Sequence, residues 1–437
     1  MAKSVAIFSS NPTNGFTDGD TYYIPIIGRV NNNVWTVETH SQIPVRDACV
    51  FSNMWVYISV NAASVTSTLT FRVNAADQTA LQISITTDAT GVFTDDVGSV
   101  SVADGDEVNW SLDIPAETGT NNMALNGISV QVEPTDSSVC FSWLKNIPVT
   151  TNISSASTTE YITPHGRTAF SATEANTQFE FSDDFTSSNF FLLITINART
   201  TTTTFRTRKD GANGGQSIAV VAAATGFFED TTNSDTLVDG SLFDYSYTTD
   251  TGADNLNLRN IGSIIYGASG EAYFTLGGGS ATLTVNVLPS TTLYNSIGGT
   301  ITDATATEAI AEARIPFNCT VKNFAVRAIS NSNGSGACTV TIRKNGADTG
   351  VTVSFGTAVT GWLYDTTNYA YFLKGDLASV EYTNEGDGTV SFTMVTSILY
   401  LPLIKNVDGV EIDTIDNIDG VAIETIKNYN GVANIRN

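Results

Sequence analysis

Basic residues are scarce in this 437-residue chain, where 20 Lys and Arg stand against 44 Asp and Glu for a formal charge of −24. A field of that sign repels phosphate and excludes nucleic acid as a direct partner. Charged residues of either sign reach only 15%, against about 25% in an average soluble domain. Histidine is almost missing. His40 and His165 stand alone, neither in a metal-ligand spacing, and the chain holds no HExxH, CxxC or GxSxG. Four cysteines are too few for a disulfide framework and point to folding in a reducing cytoplasm. No apolar run approaches 18 residues, so no spanning helix is expected, and the first ten residues read as carrying no secretory signal.

What remains is apolar and small-polar. Hydrophobic residues reach 41%, with 22 Phe, 15 Tyr and 5 Trp, ample core to exclude a disordered polyanion. The polar surface must then be Thr, Ser, Asn and Gly, which suits an all-β chain with many turns.

Self-comparison reveals a 135-residue period. Gly91-Val92-Phe93-Thr94-Asp95, Gly226-Phe227-Phe228-Glu229-Asp230 and Gly361-Trp362-Leu363-Tyr364-Asp365 share one pattern on that spacing. Gly105, Gly240 and Gly375 keep the register, as do closing apolar strands beginning at Gly127, Gly262 and Ser397. Arg208-Lys209-Asp210-Gly211-Ala212 matches Arg343-Lys344-Asn345-Gly346-Ala347, whereas the first copy degenerates to Val73-Asn74-Ala75-Ala76. A Tyr followed five residues on by Gly opens each copy, at Tyr23, Tyr161 and Tyr294. Within a copy the apolar pattern has period two, broken by the hairpin signals Asp210-Gly211 and Asn345-Gly346. Only Thr305 to Arg314 carries a helical pattern. The fold class expected is all-β: three tandem homologous antiparallel β-sandwich or jelly-roll domains and a short, turn-rich C-terminal repeat tail. The expected division is an N-terminal arm at 1–20, sandwiches at 21–150, 151–290 and 291–403, and the tail at 404–437.

The tail has its own period of 11. Ile404, Ile415 and Ile426 recur, and Val410, Val421 and Val432 each follow an Asp-Gly or Asn-Gly pair. Such a period fits a right-handed coiled coil, but Gly costs about 1 kcal/mol in a helix, so short strands joined by tight turns are expected. Three such units cannot bury their own apolar face. Those six residues are the candidate assembly and anchoring set, docking on neighbouring subunits, another assembly component or the third domain itself.

Chemistry is thin. Asp95, Asp230 and Asp365 recur as punctuation and read as turn formers, unlike a catalytic pair, which belongs to one site. Asp95-Asp96, Asp104, Asp106 and Glu107 form the densest acidic stretch, and its Asp104–Glu107 loop is a calcium candidate. Cys49 and Cys319 are two periods apart and read as small core residues, and a Cys319–Cys338 link is left open. Trp35, Trp110 and Tyr161 are candidate sugar-stacking aromatics, with core packing the simpler role. No catalytic residue, metal or cofactor is expected.

Tyr-x4-Gly, Ile-Pro-Phe-x-Cys at 315–319, Arg-Lys-Asn-Gly at 343–346, the aromatic-Asp-Thr-Thr of 364–367 (Tyr364 to Thr367) and Lys-Gly-Asp-Leu at 374–377 resemble β-sandwich modules in virion proteins of tailed bacteriophages. The tail units are similar to terminal repeats of phage structural proteins. The resemblance implies a non-enzymatic structural protein on the virion surface, made in the host cytoplasm: a capsid decoration, head fibre or tail component. Its implied partners are other virion proteins and copies of itself, with a trimer as first expectation, and no membrane insertion. A host-glycan-binding adhesin is the alternative, and a polysaccharide depolymerase a more distant one.

Overall fold

A computed structural model describes residues 4–400 except 10–14, 30–35, 117–121, 137–138, 148–151, 165–169, 182, 253, 268–270, 275–283 and 298–303. Beyond residue 400 it describes 406–407, 410–411, 417–418, 421–422, 428–429 and 432–433.

Each of the three domains is an eight-stranded jelly roll. The first uses β1 (Ser4–Ser9), β2 (Asp20–Ile24), β3 (Cys49–Asn61), β4 (Ser67–Val73), β5 (Ala76–Ile85), β6 (Gly91–Val102), β7 (Glu107–Ile114) and β8 (Asn122–Pro134). Its two sheets run β1-β8-β3-β6 and β2-β7-β4-β5, the antiparallel double Greek key of a jelly roll. The second roll repeats both orders with β9 (Val139–Asn146), β10 (Thr159–Ile162), β11 (Phe185–Asn197), β12 (Thr203–Lys209), β13 (Ala212–Val220), β14 (Gly226–Leu237), β15 (Leu242–Thr249) and β16 (Leu256–Tyr266). The third does so with β17 (Glu271–Phe274), β18 (Thr291–Ser296), β19 (Cys319–Asn331), β20 (Cys338–Lys344), β21 (Ala347–Phe355), β22 (Gly361–Phe372), β23 (Leu377–Asn384) and β24 (Val390–Tyr400). The helical pattern at 305–314 yields only one turn, Glu308–Ala311.

Strand pairing moves the opening of each roll towards the N-terminus. Residues 4–9 are no free arm; they pair with Gly127 to Val132 inside the first roll. Val139–Asn146 pairs with β16 of the second roll, and Glu271–Phe274 with β24 of the third. The reason is topological: the first strand of a jelly roll joins the last one, so each roll opens well before its first local repeat landmark.

Three devices recur in all three rolls. The first is the hairpin turn, where Asp210 and Gly211 have φ of 51° and 79°, and Asn345 and Gly346 have 50° and 76°. The degenerate first copy adopts the same left-handed turn with Asn74 at 49° and Ala75 at 61°. Alanine is strained there by about 1 kcal/mol, so Ala75→Gly is expected to stabilise the protein by about that amount in a chemical-denaturation titration.

The second device corrects the reading of Asp95, Asp230 and Asp365 as turn formers. They lie inside strands β6, β14 and β22, opposite a register shift where Asn53, Asn189 and Asn323 have φ of 53°, 50° and 53°. Each carboxylate accepts N–H donors freed by that bulge and one from the facing sheet: Gln82 at 3.0 Å, Ser217 at 2.9 Å and Thr352 at 2.9 Å. The Asp therefore ties the two sheets together at their edge.

The third is a guanidinium clasp. Arg72, Arg208 and Arg343 each donate two hydrogen bonds to one carboxylate, Glu38, Glu174 and Glu308, with Nε–Oε1 distances of 2.6, 2.8 and 2.9 Å. Each guanidinium also covers the landmark tyrosine, with Cζ 5.5, 5.5 and 5.8 Å from the rings of Tyr23, Tyr161 and Tyr294. The clasp pins the short turn between the second and third strands of each roll onto the sheet.

One apolar core runs through the first and second rolls, from Phe16 to Ile265, while the third roll has a separate core from Val285 to Phe392.

Candidate functional site

The last strands of the first two rolls are buried on both faces. Met123 to Gln131 and Leu256 to Ile265 are buried without interruption, although a sheet facing water on one side alternates. By contrast β13 and β21 alternate buried and exposed positions in their C-terminal halves. What covers the outer face of one roll is the turn region of another, and the pattern goes round the chain.

The first roll meets the second through Arg46, which pairs with Glu229 and lies 4.6 Å from the Phe227 ring centroid. Arg259 of the second roll reaches back to the carbonyl of Thr39 at 3.5 Å. The second meets the third where the Tyr364 hydroxyl donates to Glu180 at 2.7 Å and Arg327 donates to the Ala175 carbonyl. The third meets the first where Arg314 donates to both oxygens of Asp96 at 2.7 and 3.2 Å. There Lys374 also donates to Asn53 at 2.8 Å, and Ser129 donates to the Arg314 carbonyl at 3.0 Å.

These are three copies of one joint. Pro44, Glu180 and Arg314 occupy one position, each in a two-residue strand paired beside Glu107, Leu242 or Leu377. Glu229 and Tyr364 stand at equivalent positions 135 residues apart, while in the third-to-first joint the contact falls on Asp96, two residues past the equivalent Thr94, and in the first-to-second joint it comes from Arg46, two residues past Pro44. The rolls thus close head to tail into a ring with pseudo-threefold symmetry, built by one chain. Geometry repeats and chemistry does not. Burial pushes Glu180 above the ordinary carboxylate range, a shift the Tyr364 hydroxyl opposes. Burial would also raise Asp96, but its bonds to Arg314 and the charges of Arg314 and Lys374 hold it below that range.

Among the assembly candidates, Val410, Val421 and Val432 each start the second strand of a two-stranded hairpin: β25 (Asn406–Val407) with β26 (Val410–Glu411), β27 (Asn417–Ile418) with β28 (Val421–Ala422), and β29 (Asn428–Tyr429) with β30 (Val432–Ala433). Short antiparallel strand pairs are therefore what the 11-residue period encodes; the residues that connect them lie outside the described residues. Ile404, Ile415 and Ile426 lie outside the described residues, as do His165 and Trp35.

The chemical candidates find structural roles. Asp104 pairs with Arg46 at 3.4 Å, and Asp106 accepts from Asn74 at 2.7 Å and the Ala103 N–H at 2.8 Å. No group of three or more metal-ligating side chains gathers among the described residues. Trp110 is fully buried against Phe71, and Tyr161 lies beneath Arg208. Cys49, Cys319 and Cys338 are free and buried, so the 319–338 link is not formed. Phe185 takes the equivalent of Cys49 in the second roll, each being the first residue of its strand. Burial pushes the Cys49 thiol up to about 12.

No protein-family model matches the chain, and no curated protein does. Among solved structures it is similar to an archaeal virus protein described by its triple jelly roll fold and turret assembly, at 13% identity over 90% of each chain with a TM-score of 0.19. A Paenibacillus xanthan lyase matches at 11% identity over 83% of this chain, with a TM-score of 0.20, and this chain spans about a third of its length (34%). The Bacillus thuringiensis delta-endotoxin Cry8Ea1 matches at 8% identity over 90% of this chain and 60% of its own, with a TM-score of 0.20. At such TM-scores these likenesses carry no argument; strand order and pairing alone define the class, an all-β chain of three tandem jelly rolls.

Proposed function

We propose that the chain is a non-enzymatic structural protein of a tailed-phage virion, made in the host cytoplasm and carried on the particle surface. It acts through protein–protein contacts with other virion proteins and with its own copies, a trimer being the first expectation. The observation that carries this reading is the closed ring: the last strands of the first two rolls are covered within the chain, and docking is assigned to the 11-residue tail repeat. Burying each Ile or Val of the candidate set contributes about 1.5–3 kcal/mol, enough collectively to hold a short segment on a partner. The buried position of Trp110 and the covered ring of Tyr161 weaken the glycan-binding alternative.

Deleting residues 404–437 tests the proposal. The melting transitions of the rolls are expected to persist, because their cores lie entirely before residue 404, while self-association and loading onto particles disappear. A truncated chain that sediments like the full-length protein and still loads would refute the anchoring role.

A further inference from the structure

We propose that the joint between the third and first rolls is an exchangeable interface, through which an opened chain binds a second copy of itself head to tail. Three features single this joint out. The other two joints connect rolls adjacent in sequence, whereas this one brings Arg314 onto Asp96 with no linker of its own. It is also the joint between separate apolar cores that rests on hydrogen bonds and ion pairs. The first two rolls share one core, and Trp362 of the third packs against that shared core, but the third roll's own core includes no residue of the first. Finally, two of its charged partners are partly exposed: Asp96 and Lys374 keep 34% and 42% of their side-chain surface, while Arg314 keeps 15%.

A heterologous joint leaves two unlike, complementary faces when it opens. One carries the cations Arg314 and Lys374; the other carries Asp96, with Asn53 and Ser129 beside it. In one chain they meet each other and close three rolls. In two opened chains each third roll docks on the first and second rolls of the other chain, so its cationic face meets that chain's Asp96 face, and two three-roll rings close with their third rolls exchanged. Every contact is kept, so the exchange costs association entropy and gains no new bond. Separate cores allow the third roll to swing away intact. Partly exposed ion pairs of this kind are screened by counterions and loosen as salt rises.

Complementary charge reversal decides it in the full-length chain. Asp96→Arg places a third cation against Arg314 and Lys374 of its own chain. A second chain carrying Arg314→Asp and Lys374→Ser instead turns a new carboxylate against its own Asp96. Each variant alone is expected to show an expanded small-angle scattering profile with an unchanged β circular-dichroism signal. Mixed in equal amounts, they are expected to form a one-to-one heterodimer by native mass spectrometry, at several times the level of either self-pair, because both joints are restored between chains. Asp96→Arg combined with Arg314→Asp in one chain is expected to return the compact profile. Variants that stay as compact as the parent, or a mixture that yields no heterodimer above the self-pairs, would overturn the proposal. Loss of particle loading on tail deletion is independent of this result.

Discussion

Asp365→Ala is expected to lower the third roll's melting temperature by about 10 °C and leave the transition of the first two rolls in place. Asp365 is buried and accepts N–H bonds from Thr352 at 2.9 Å, Thr367 at 3.2 Å and Asn368 at 3.0 Å. Alanine leaves those donors without an acceptor at a strand bulge, at about 1 kcal/mol or more each. A loss of roughly 3 kcal/mol in a roll of this size moves the midpoint by about 10 °C. Selectivity follows from the separate core of the third roll, so differential scanning calorimetry should resolve two transitions, of which only one moves. Burial alone would raise the Asp365 carboxyl, but bonds from Asn368, Thr352 and Thr367 hold it below the usual range. Its contribution is therefore present above the unfolded carboxylate pKa and is lost as pH falls through the folded value.

Asp244 is expected to give the opposite pH dependence. It is fully buried on β15, accepts a 2.6 Å bond from Thr177, and leaves its other oxygen without a hydrogen bond. Burial pushes its pKa up to about 8, with the Thr177 bond opposing and Glu174 adding to the rise. Between about pH 4 and pH 8 the unfolded chain gives up this proton while the folded chain keeps it. Stability should then fall as pH rises across that window, by up to about 1.4 kcal/mol per pH unit from this group. Asn109 fills the same position in the first roll, where its amide donates to Ser41 at 2.8 Å. Asp244→Asn should raise stability at pH 8 by more than about 1 kcal/mol and flatten the profile, measured by urea titration at pH 5, 6.5 and 8. An unchanged slope in the variant would assign the pH dependence elsewhere.

The sequence made the rolls legible because a repeat search finds what copies share. Gly91, Gly226 and Gly361 each begin the sixth strand of their roll, so the period located equivalent elements directly. The guanidinium clasp was half visible. Its tyrosines and two of its arginines marked the repeats, but Arg72 precedes a degenerate turn, and Glu38, Glu174 and Glu308 lie 34 or 35 residues before their partners. The joints were invisible for the converse reason. At the short-strand position beside each joint the three copies carry Pro44, Glu180 and Arg314, so the signal that defines the ring is where the repeats disagree. First strands were missed because their partners lie more than a hundred residues away, beyond any local pattern.

That last feature has a consequence for synthesis. Ser4–Ser9 finds its long antiparallel partner only in Asn122–Pro134, at the far end of the same roll. At roughly 5–20 residues per second, the first strand waits on the order of 6–25 s for that partner to leave the ribosome. Each roll can therefore be completed only when its final strand emerges, in the order first, second, third. The ring must wait longer still, because Arg314 and Lys374 are translated after the whole of the first two rolls. Until then a nascent chain presents an unmet Asp96 face to its neighbours on the same messenger. The interval before ring closure is when two copies made side by side are best placed to exchange their third rolls.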